Sequence, residues 1–231
     1  MSVSRFLVTG GSQGIGAAIV ARARKAGHQV VFTGRNDQLL EGVARKTGAH
    51  ALRADVSSAA DNARTIDVCG ERMGGIDVLV NNAGYAYRAE IGALDVDAMK
   101  TMFDTNVFGL VDLTNRVVPL MKAAASGDIV NLASTSGMKG AATATAYAAS
   151  KWAVRGISQC WQAELRPHGI RVVCVCPSEV QTDFGGRTGR NNPNKLYADD
   201  IADTIMAALD MPRRALWPEL AVFATNPWKE D

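Results

Sequence analysis

Tyr147 and Lys151, four positions apart, carry the side chains best suited to proton transfer in this sequence. On a helix this spacing places both on one face, with their Cβ atoms roughly 5–6 Å apart. An unperturbed tyrosine titrates near pH ~10, which is too high for a base at neutral pH. A neighbouring ammonium group favours the phenolate, so the pair suits proton exchange nearer neutrality. Taken alone, the same spacing also fits an incidental pair on a helix surface.

Length and composition narrow the class of protein. The 231 residues are 47% hydrophobic and 21% charged, with a net charge of +2. This balance gives no electrostatic reason to expect binding to nucleic acid or to an anionic membrane. The apolar run 6–8 follows Met1 without a signal-like segment, and no run approaches the roughly 20 apolar residues that span a bilayer. We therefore expect a cytoplasmic protein.

Short β-branched runs alternate with longer amphipathic stretches along the chain. Strands are predicted at 5–9, 29–33, 50–54, 76–81, 128–133, 170–176 and 216–223, and helices at 14–26, 37–47, 58–73, 96–125, 144–166 and 199–210. Near-continuous apolar strands separated by helices are typical of a parallel sheet covered on both faces. The pattern predicts a doubly wound Rossmann-type α/β fold of about seven strands, in three αβα layers, as a single domain over residues 1–231.

A glycine-rich turn joins the first predicted strand to the first predicted helix. It reads Thr-Gly-Gly-Ser-Gln-Gly-Ile-Gly over residues 9–16, a GxxxGxG spacing. Glycines at this junction let backbone amides approach a pyrophosphate, although an ordinary strand–turn–helix connection uses similar residues. The candidate contacts are Gly10, Ser12, Gln13, Gly14, Ile15 and Gly16.

The end of the second strand bears on the choice between NAD and NADP. An acidic residue there would hold the ribose of NAD, whereas an arginine accommodates the 2′-phosphate of NADP. The sequence offers Gly34, then Arg35 and Asn36. Asp37 competes, but it fits better as a cap of the next helix. We therefore expect NADP, with NAD less favoured and a solvated Arg35 as the simpler alternative.

Polar and small residues follow the third and fourth strands. Asp55 and Val56 come after the third; helix capping alone would explain Asp55, although Ser57 and Ser58 are equally good caps. The motif 81–84 ends the fourth strand, where small residues let the backbone approach a ligand at the carboxyl edge of the sheet. A simple turn would use the same residues. The candidate contacts in the motif are Asn82, Ala83 and Gly84.

Asn106 and Ser134 are the remaining polar candidates. Asn106 falls inside a helical pattern, where asparagine is unfavourable and most often faces solvent. Pro119 later in the same stretch suggests a kink or a break. Ser134 opens the run 134–137 after the fifth strand, and a hydroxyl at such a strand end can donate to a substrate oxygen.

The cysteines and histidines do not suggest a metal centre. The four cysteines contain no CxxC pair, and a bridge between residues 174 and 176 on one strand face would be strained. We expect buried free thiols. The three histidines are scattered, so no metal site is predicted. The cysteines are Cys69, Cys160, Cys174 and Cys176, and the histidines are His28, His50 and His168.

Taken together, these motifs resemble the short-chain dehydrogenase/reductase family over essentially the whole chain. The matching features are the turn 9–16, Asp55, the motif 81–84, Asn106, Ser134, Tyr147 and Lys151. Ser134 matches as the serine three residues before Gly137 and 13 before Tyr147, so it is preferred to Ser136. Each motif alone is weak or moderate evidence, but this order on alternating strands and helices is specific.

The resemblance implies a role for each residue. Tyr147 would act as general acid in carbonyl reduction and as base in alcohol oxidation. Lys151 would lower the pKa of the tyrosine and bind the nicotinamide ribose. Ser134 would polarise the substrate carbonyl, and Asn106 would support a water-linked proton relay behind Lys151. The family also implies a homo-oligomer, a tetramer or a dimer.

One departure from the family follows the sixth strand. The family's Pro-Gly is here Pro177-Ser178, which puts the local backbone in doubt because glycine reaches positive φ most readily. Val180 and Thr182 still match positions that would grip the nicotinamide carboxamide. The segment 183–198 is expected to form a mobile cover over the site.

The substrate stays open at this level. Arg187 and Arg190 could meet an acidic substrate, although solvated loop charges are the simpler reading. Side chains that could line a pocket are Tyr85, Tyr87, Met138 and Phe184. A secondary alcohol, a hydroxy acid, a sugar and a ketone all fit.

Two other functions are considered beside hydride transfer on a small substrate. A non-catalytic NADP-sensing or scaffold protein of the same fold is the second class of function. An extended sugar-nucleotide epimerase is disfavoured by the turn spacing and by the short C-terminal portion.

Overall fold

The computed structural model describes residues 3–182, 184, 192 and 194–226. Its centre is a seven-stranded sheet in which every neighbouring pair of strands is parallel. A small second sheet pairs β7 with β8. The strands are β1 (Arg5–Val8), β2 (Gln29–Gly34), β3 (His50–Arg53), β4 (Val78–Asn81), β5 (Gly127–Leu132), β6 (Ile170–Pro177), β7 (Val180–Gln181), β8 (Leu196–Tyr197) and β9 (Glu219–Val222).

The strand order of the large sheet is β3-β2-β1-β4-β5-β6-β9. The chain builds outward from β1 to one edge, then returns to place β4 on the other side of β1. This reversal creates a crevice at the carboxyl ends of β1 and β4, where such sheets bind ligands. The predicted doubly wound fold is confirmed. The helices are α1 (Gly14–Lys25), α2 (Asp37–Thr47), α3 (Ala59–Met73), α4 (Val96–Phe103), α5 (Gly109–Ala123), α6 (Thr145–Leu165) and α7 (Ala198–Leu209).

Alternate residues of the central strands fill two cores, one on each face of the sheet. Phe6 and Val8 of β1 pack on the side of α1 and α7, whereas Leu7 packs on the opposite side. All three side chains are buried. Burial on both faces explains why the strands read as continuous apolar runs rather than as an alternation.

The predicted helix 96–125 differs most from the structure. It consists of α4, a π-helical turn over Asp104–Phe108, and α5. The irregularity expected at Pro119 was misplaced, because Pro119 lies inside the continuous helix α5. The last strand is also shorter than predicted, at Glu219–Val222. Within the described part of the chain, no helix is long and apolar enough to cross a membrane.

Candidate active site

A cavity of about 970 Å³ opens at the carboxyl edge of the sheet, within the size range of ligand pockets. Most of the predicted site residues line this cavity, and they include residues of the glycine turn and of α6. Gly16, Asn36 and Asn106 lie outside the lining. The predicted residues in the wall are Gly10, Ser12, Gln13, Gly14, Ile15, Arg35, Asp55, Val56, Asn82, Ala83, Gly84, Ser134, Tyr147, Lys151, Pro177, Val180 and Thr182.

The glycine turn has the backbone that its sequence requires. Gly10 and Gly14 adopt φ of 64° and 55°, a region that glycine enters at little cost. A Cβ on Gly16 would lie 2.2 Å from the carbonyl oxygen of Gly10, so Gly16 lets α1 close against the turn. The first turn of α1 carries no acidic residue, and its free N–H groups make this helix end suitable for an anion.

Hydrogen bonds clamp this turn to the end of β4. The Asn82 side chain donates to the carbonyls of Thr9 and Gly10, at 2.9 and 3.0 Å. The Thr9 hydroxyl accepts from the backbone N–H groups of Asn82 and Ala83, both at 3.0 Å. The motif 81–84 therefore does more than turn the chain, since it fixes one wall of the crevice.

At the end of β2, a Cβ on Gly34 would lie 2.8 Å from the hydroxyl oxygen of Ser12. The Arg35 side chain is 67% exposed and approaches a carboxylate oxygen of Asp55 at 3.5 Å. Asn36 caps α2 by accepting from the N–H of Leu39, at 3.0 Å. Asp37 is the first residue of α2, so the predicted cap was one residue late, and Asn36 faces the helix rather than the cavity.

Asp55 is held as a carboxylate beside Arg35. Burial opposes its ionisation, but hydrogen bonds from the N–H and hydroxyl of Ser57, at 3.0 and 2.7 Å, outweigh that effect. The pKa of Asp55 therefore lies below its ordinary value, with a smaller contribution from Arg35. Ser58, not Asp55, caps α3 by accepting from the N–H of Asp61.

Tyr147 and Lys151 lie on one face of α6, as their spacing predicts. Both are buried, at 7% and 5% exposure, and the Lys151 Nζ lies 5.8 Å from the centroid of the tyrosine ring. The ammonium group donates to the carbonyl of Leu132 at 2.7 Å. Burial lowers the pKa of Lys151 to about 8. The pair is therefore part of a desolvated site and not an incidental surface pair.

Ser134 and Asn106 approach the same site from β5 and from the π-helical turn. The Ser134 hydroxyl oxygen accepts from the N–H of Ser136 at 3.1 Å. Asn106 is 1% exposed, contrary to the solvent-facing default. Its amide accepts from the N–H of Tyr85 at 3.0 Å, and donates to the Tyr85 carbonyl at 2.9 Å and to Ser150 Oγ at 3.2 Å.

Other side chains complete the wall near Tyr147. The rings of Phe184 and Tyr147 lie 5.8 Å apart, and the guanidinium carbon of Arg88 lies 5.9 Å from the tyrosine ring. Tyr85 also lines the cavity, as predicted, whereas Tyr87 and Met138 pack into hydrophobic clusters instead. Sequence reasoning missed Arg88, whose sole signal is a cation four residues after Gly84. Arg187 and Arg190, and most of the segment 183–198, lie outside the described residues.

The serine that replaces the family's glycine fits its backbone without strain. Ser178 does not have a positive φ, and its N–H donates to the carbonyl of Val222 at 2.8 Å. Thr182 lies close to Gly14, where an added Cβ would meet the threonine methyl at 3.3 Å. The loop after Pro177 thus lies against the glycine turn.

The cysteines divide into buried and exposed thiols. Cys69, Cys174 and Cys176 are buried, but Cys160 is exposed, which corrects the expectation for that residue. The Sγ atoms of Cys174 and Cys176 lie 3.9 Å apart, without a disulfide. Glu219 lies close to both thiols. Arg155 holds this carboxylate through two contacts of 2.6 and 2.9 Å.

Comparisons with known proteins identify the class. A family model described as short chain dehydrogenase matches residues 4–193. An uncharacterised oxidoreductase of Staphylococcus saprophyticus is 35% identical over 222 residues, which cover 94% of this chain and 95% of the relative. The chain therefore belongs to the short-chain dehydrogenase/reductase family of oxidoreductases, as its motifs predict.

Solved structures agree on the fold. A short-chain dehydrogenase from Streptomyces avermitilis is 30% identical, with a TM-score of 0.87 over 96% of this chain and 89% of that one. The closed form of a serine dehydrogenase complexed with NADP+ is also 30% identical, with a TM-score of 0.89 over 94% of each chain.

Proposed function

We propose that this chain is an NADP-dependent oxidoreductase that transfers a hydride between NADP(H) and a small alcohol or carbonyl compound. One observation carries the proposal. The same cavity is lined by a glycine turn at a helix N-terminus and, beyond it, by Tyr147, Lys151 and Ser134. When bound, the nicotinamide cofactor supplies the hydride. The protein's residues bind and orient the cofactor and the substrate, and they exchange the proton.

The three residues of the proton-transfer group have complementary tasks. The Tyr147 hydroxyl donates a proton to the substrate oxygen during reduction and accepts it during oxidation. The Ser134 hydroxyl donates a hydrogen bond to the same oxygen. The Lys151 ammonium stabilises the phenolate that remains after the proton has left, because opposite charges attract strongly in a desolvated site.

Asn106 is proposed as a positioning residue. Its amide ties the backbone of Tyr85 to Ser150 on α6, one residue before Lys151. A Cβ on Gly84 would lie 2.9 Å from the Asn106 amide oxygen and 3.7 Å from Lys151 Nζ, so these groups are packed together. The proton relay behind Lys151 stays a prediction.

The cavity has features that fit a dinucleotide. Gly10 and Gly14 supply the positive φ values that this tight turn needs, and the N-terminus of α1 offers N–H groups to the pyrophosphate. Asp55 and Val56 would flank the adenine, and Tyr147 and Lys151 would meet the nicotinamide ribose. The remaining proposed contacts are Ser12, Gln13, Ile15, Gly16, Asn82, Ala83, Gly84, Pro177, Val180 and Thr182.

Arg35 favours NADP over NAD. Its guanidinium is exposed at the cavity wall, just after the end of β2, where a 2′-phosphate would lie. A guanidinium pairs with a phosphate through charge-assisted hydrogen bonds. The serine dehydrogenase that resembles this chain was solved with NADP+, which agrees with this preference. Asn36 contributes less than expected, because its side chain caps α2.

The oligomeric state in the wider proposal comes from the family alone. We propose a homotetramer or dimer of single-domain subunits, and a sedimentation experiment that finds a monomer would contradict it. The cytoplasmic location remains a prediction. A non-catalytic NADP-binding scaffold is the alternative function, and it differs by having no turnover.

The experiment measures the oxidation of NADPH and NADH by the purified protein across a panel of aldehydes, ketones and oxo acids. We expect turnover with NADPH to exceed turnover with NADH. Arg35→Ala should raise the KM for NADPH by on the order of tenfold to a hundredfold, the range for a hydrogen bond to a charged group, and leave that for NADH nearly unchanged. Arg45→Ala, on the exposed part of α2, is the matched control.

The outcomes separate the two parts of the proposal. An equal rise in the KM for NADPH and for NADH in Arg35→Ala would contradict the role of Arg35 in 2′-phosphate binding. Binding of NADPH without turnover of any carbonyl or alcohol would favour the scaffold.

A further inference from the structure

Arg88 lies between β4 and α4, in a part of the wall that no proposed cofactor contact occupies. It lines the cavity, and its guanidinium carbon lies 5.9 Å from the ring centroid of Tyr147. Phe184 contacts the same ring, at 5.8 Å between centroids. The wall beside the proposed proton donor therefore combines an aromatic surface with a positive charge.

The carboxylates of the cavity wall are already engaged with other cations. Asp55 approaches Arg35 at 3.5 Å, at the β2 end of the cavity. Glu179 pairs with Lys195 at 3.0 Å. Neither carboxylate is paired with Arg88 in the part of the chain that the structure describes.

Arg88 thus adds positive charge near Tyr147 that is not offset by a carboxylate among the described residues. Lys151, the other cation near Tyr147 among the described residues, is buried and donates to the carbonyl of Leu132, so it is not available to a charged substrate group. Arg88 is exposed and lines the cavity. A guanidinium in this position suits a carboxylate, which it can bind through two parallel hydrogen bonds.

We propose that Arg88 binds the carboxylate of the substrate, so that this chain acts on short hydroxy acids and the corresponding oxo acids. This inference rests on the proposed oxidoreductase function. Because about 6 Å separates the guanidinium from the tyrosine ring, one small molecule can place its carbonyl at Tyr147 and its acid group at Arg88. A longer molecule with a distant acid group would not meet both residues. Arg88 is then a specificity-determining residue and takes no part in the proton transfer.

The test compares short 2-oxo and 3-oxo acids, each beside its methyl ester, as substrates with NADPH. The ester keeps the carbonyl but removes the negative charge, so it isolates the contribution of the guanidinium. We expect the wild type to prefer at least one acid. Arg88→Gln should lower kcat/KM for that acid by on the order of tenfold to a hundredfold, mainly through KM. The kcat/KM for the ester should stay within about threefold of the wild-type value.

Two further variants sharpen the result. Arg88→Lys keeps the charge but loses the planar fork, so it should retain part of the preference for the acid. Arg45→Gln removes an exposed arginine from α2 and should leave kcat/KM for both the acid and the ester unchanged. A nonreducible short carboxylate should also raise the Tm of the wild-type NADP+ complex more than that of the Arg88→Gln complex.

Several outcomes would overturn the proposal. Equal losses on acid and ester in Arg88→Gln would mean that Arg88 only supports the tyrosine ring. Turnover of esters without any preference for an acid would contradict the role of Arg88 in carboxylate binding but would support the proposed oxidoreductase function. Absence of turnover with every substrate would remove the proposed function and the role of Arg88 with it.

Discussion

Replacing Lys151 by methionine should make the protein more stable while it removes activity. Burial lowers the pKa of Lys151 from 10.5 to about 8. At about 1.36 kcal/mol per pKa unit, this difference corresponds to a cost of about 3 kcal/mol at pH 7 for holding the ammonium in the folded protein. Methionine has a similar length and carries no charge. It also loses the donor to Leu132, which costs about 1 kcal/mol.

The expected net effect of Lys151→Met at pH 7 is therefore a gain of about 2 kcal/mol in the free energy of unfolding. In a chain of this size such a gain raises Tm by about 4–8 °C. The gain should shrink as pH rises. The unfolded chain binds more protons than the folded one between about pH 8 and 10.5, so wild-type stability increases across this window.

Urea unfolding of both proteins at pH 7 and at pH 9.5, at one protein concentration, measures the effect. The advantage of Lys151→Met should fall from about 2 kcal/mol to below about 1 kcal/mol at the higher pH. Lys122→Met, at an exposed lysine of α5, is the matched control and should change stability by less than about 1 kcal/mol. A variant no more stable than the wild type at pH 7, or an advantage independent of pH, would refute the reasoning.

Two further substitutions test the supports of the site. Asn106→Ala leaves the N–H and carbonyl of Tyr85, which are partly buried, without their partners, so urea unfolding should show a loss of about 2 kcal/mol. A loss below about 0.5 kcal/mol would contradict this account. Ser178→Gly, which restores the family's residue, should lower stability by no more than about 1 kcal/mol because the serine already has an unstrained φ. A clear gain in stability would show that the serine is strained.

The fold was predictable because its strands are buried on both faces. Continuous apolar runs such as residues 6–8 and 172–176 have no solvent-facing alternation, and this feature distinguishes a covered parallel sheet. The ends of elements were less predictable. The last strand is confined to Glu219–Val222, where it pairs with β6, and that pairing involves residues more than 40 positions away.

Asn106 shows why the site was only partly predictable. Helical periodicity predicts one continuous helix over 96–125, but the chain forms a π-helical turn at Asp104–Phe108. The side chain of Asn106 turns inward because its hydrogen bonds are made with Tyr85 and Ser150. A pattern read along one segment cannot contain partners from two other segments. Motif resemblance identified the residue, but its burial became evident only in the structure.

Arg88 illustrates the opposite case, a candidate that no motif could indicate. It lies in an irregular segment before α4, outside every residue pattern considered in the sequence. Its interest comes from its position over the Tyr147 ring, and from the pairing of the cavity-wall carboxylates with other cations. These are properties of packing rather than of spacing.

The central claim is that the Tyr147 hydroxyl transfers the proton that accompanies hydride transfer. The most direct measurement is the single-turnover oxidation of bound NADPH by a carbonyl substrate that the wild type reduces, catalysed by Tyr147→Phe, with the Kd of NADPH determined on the same sample. We expect the Kd to stay within about threefold of the wild type, because the lost hydroxyl contributes little to dinucleotide binding. The rate should fall by at least about a hundredfold, the lower end for loss of a general acid. A variant that binds NADPH normally and oxidises it at a rate close to the wild type would contradict the account.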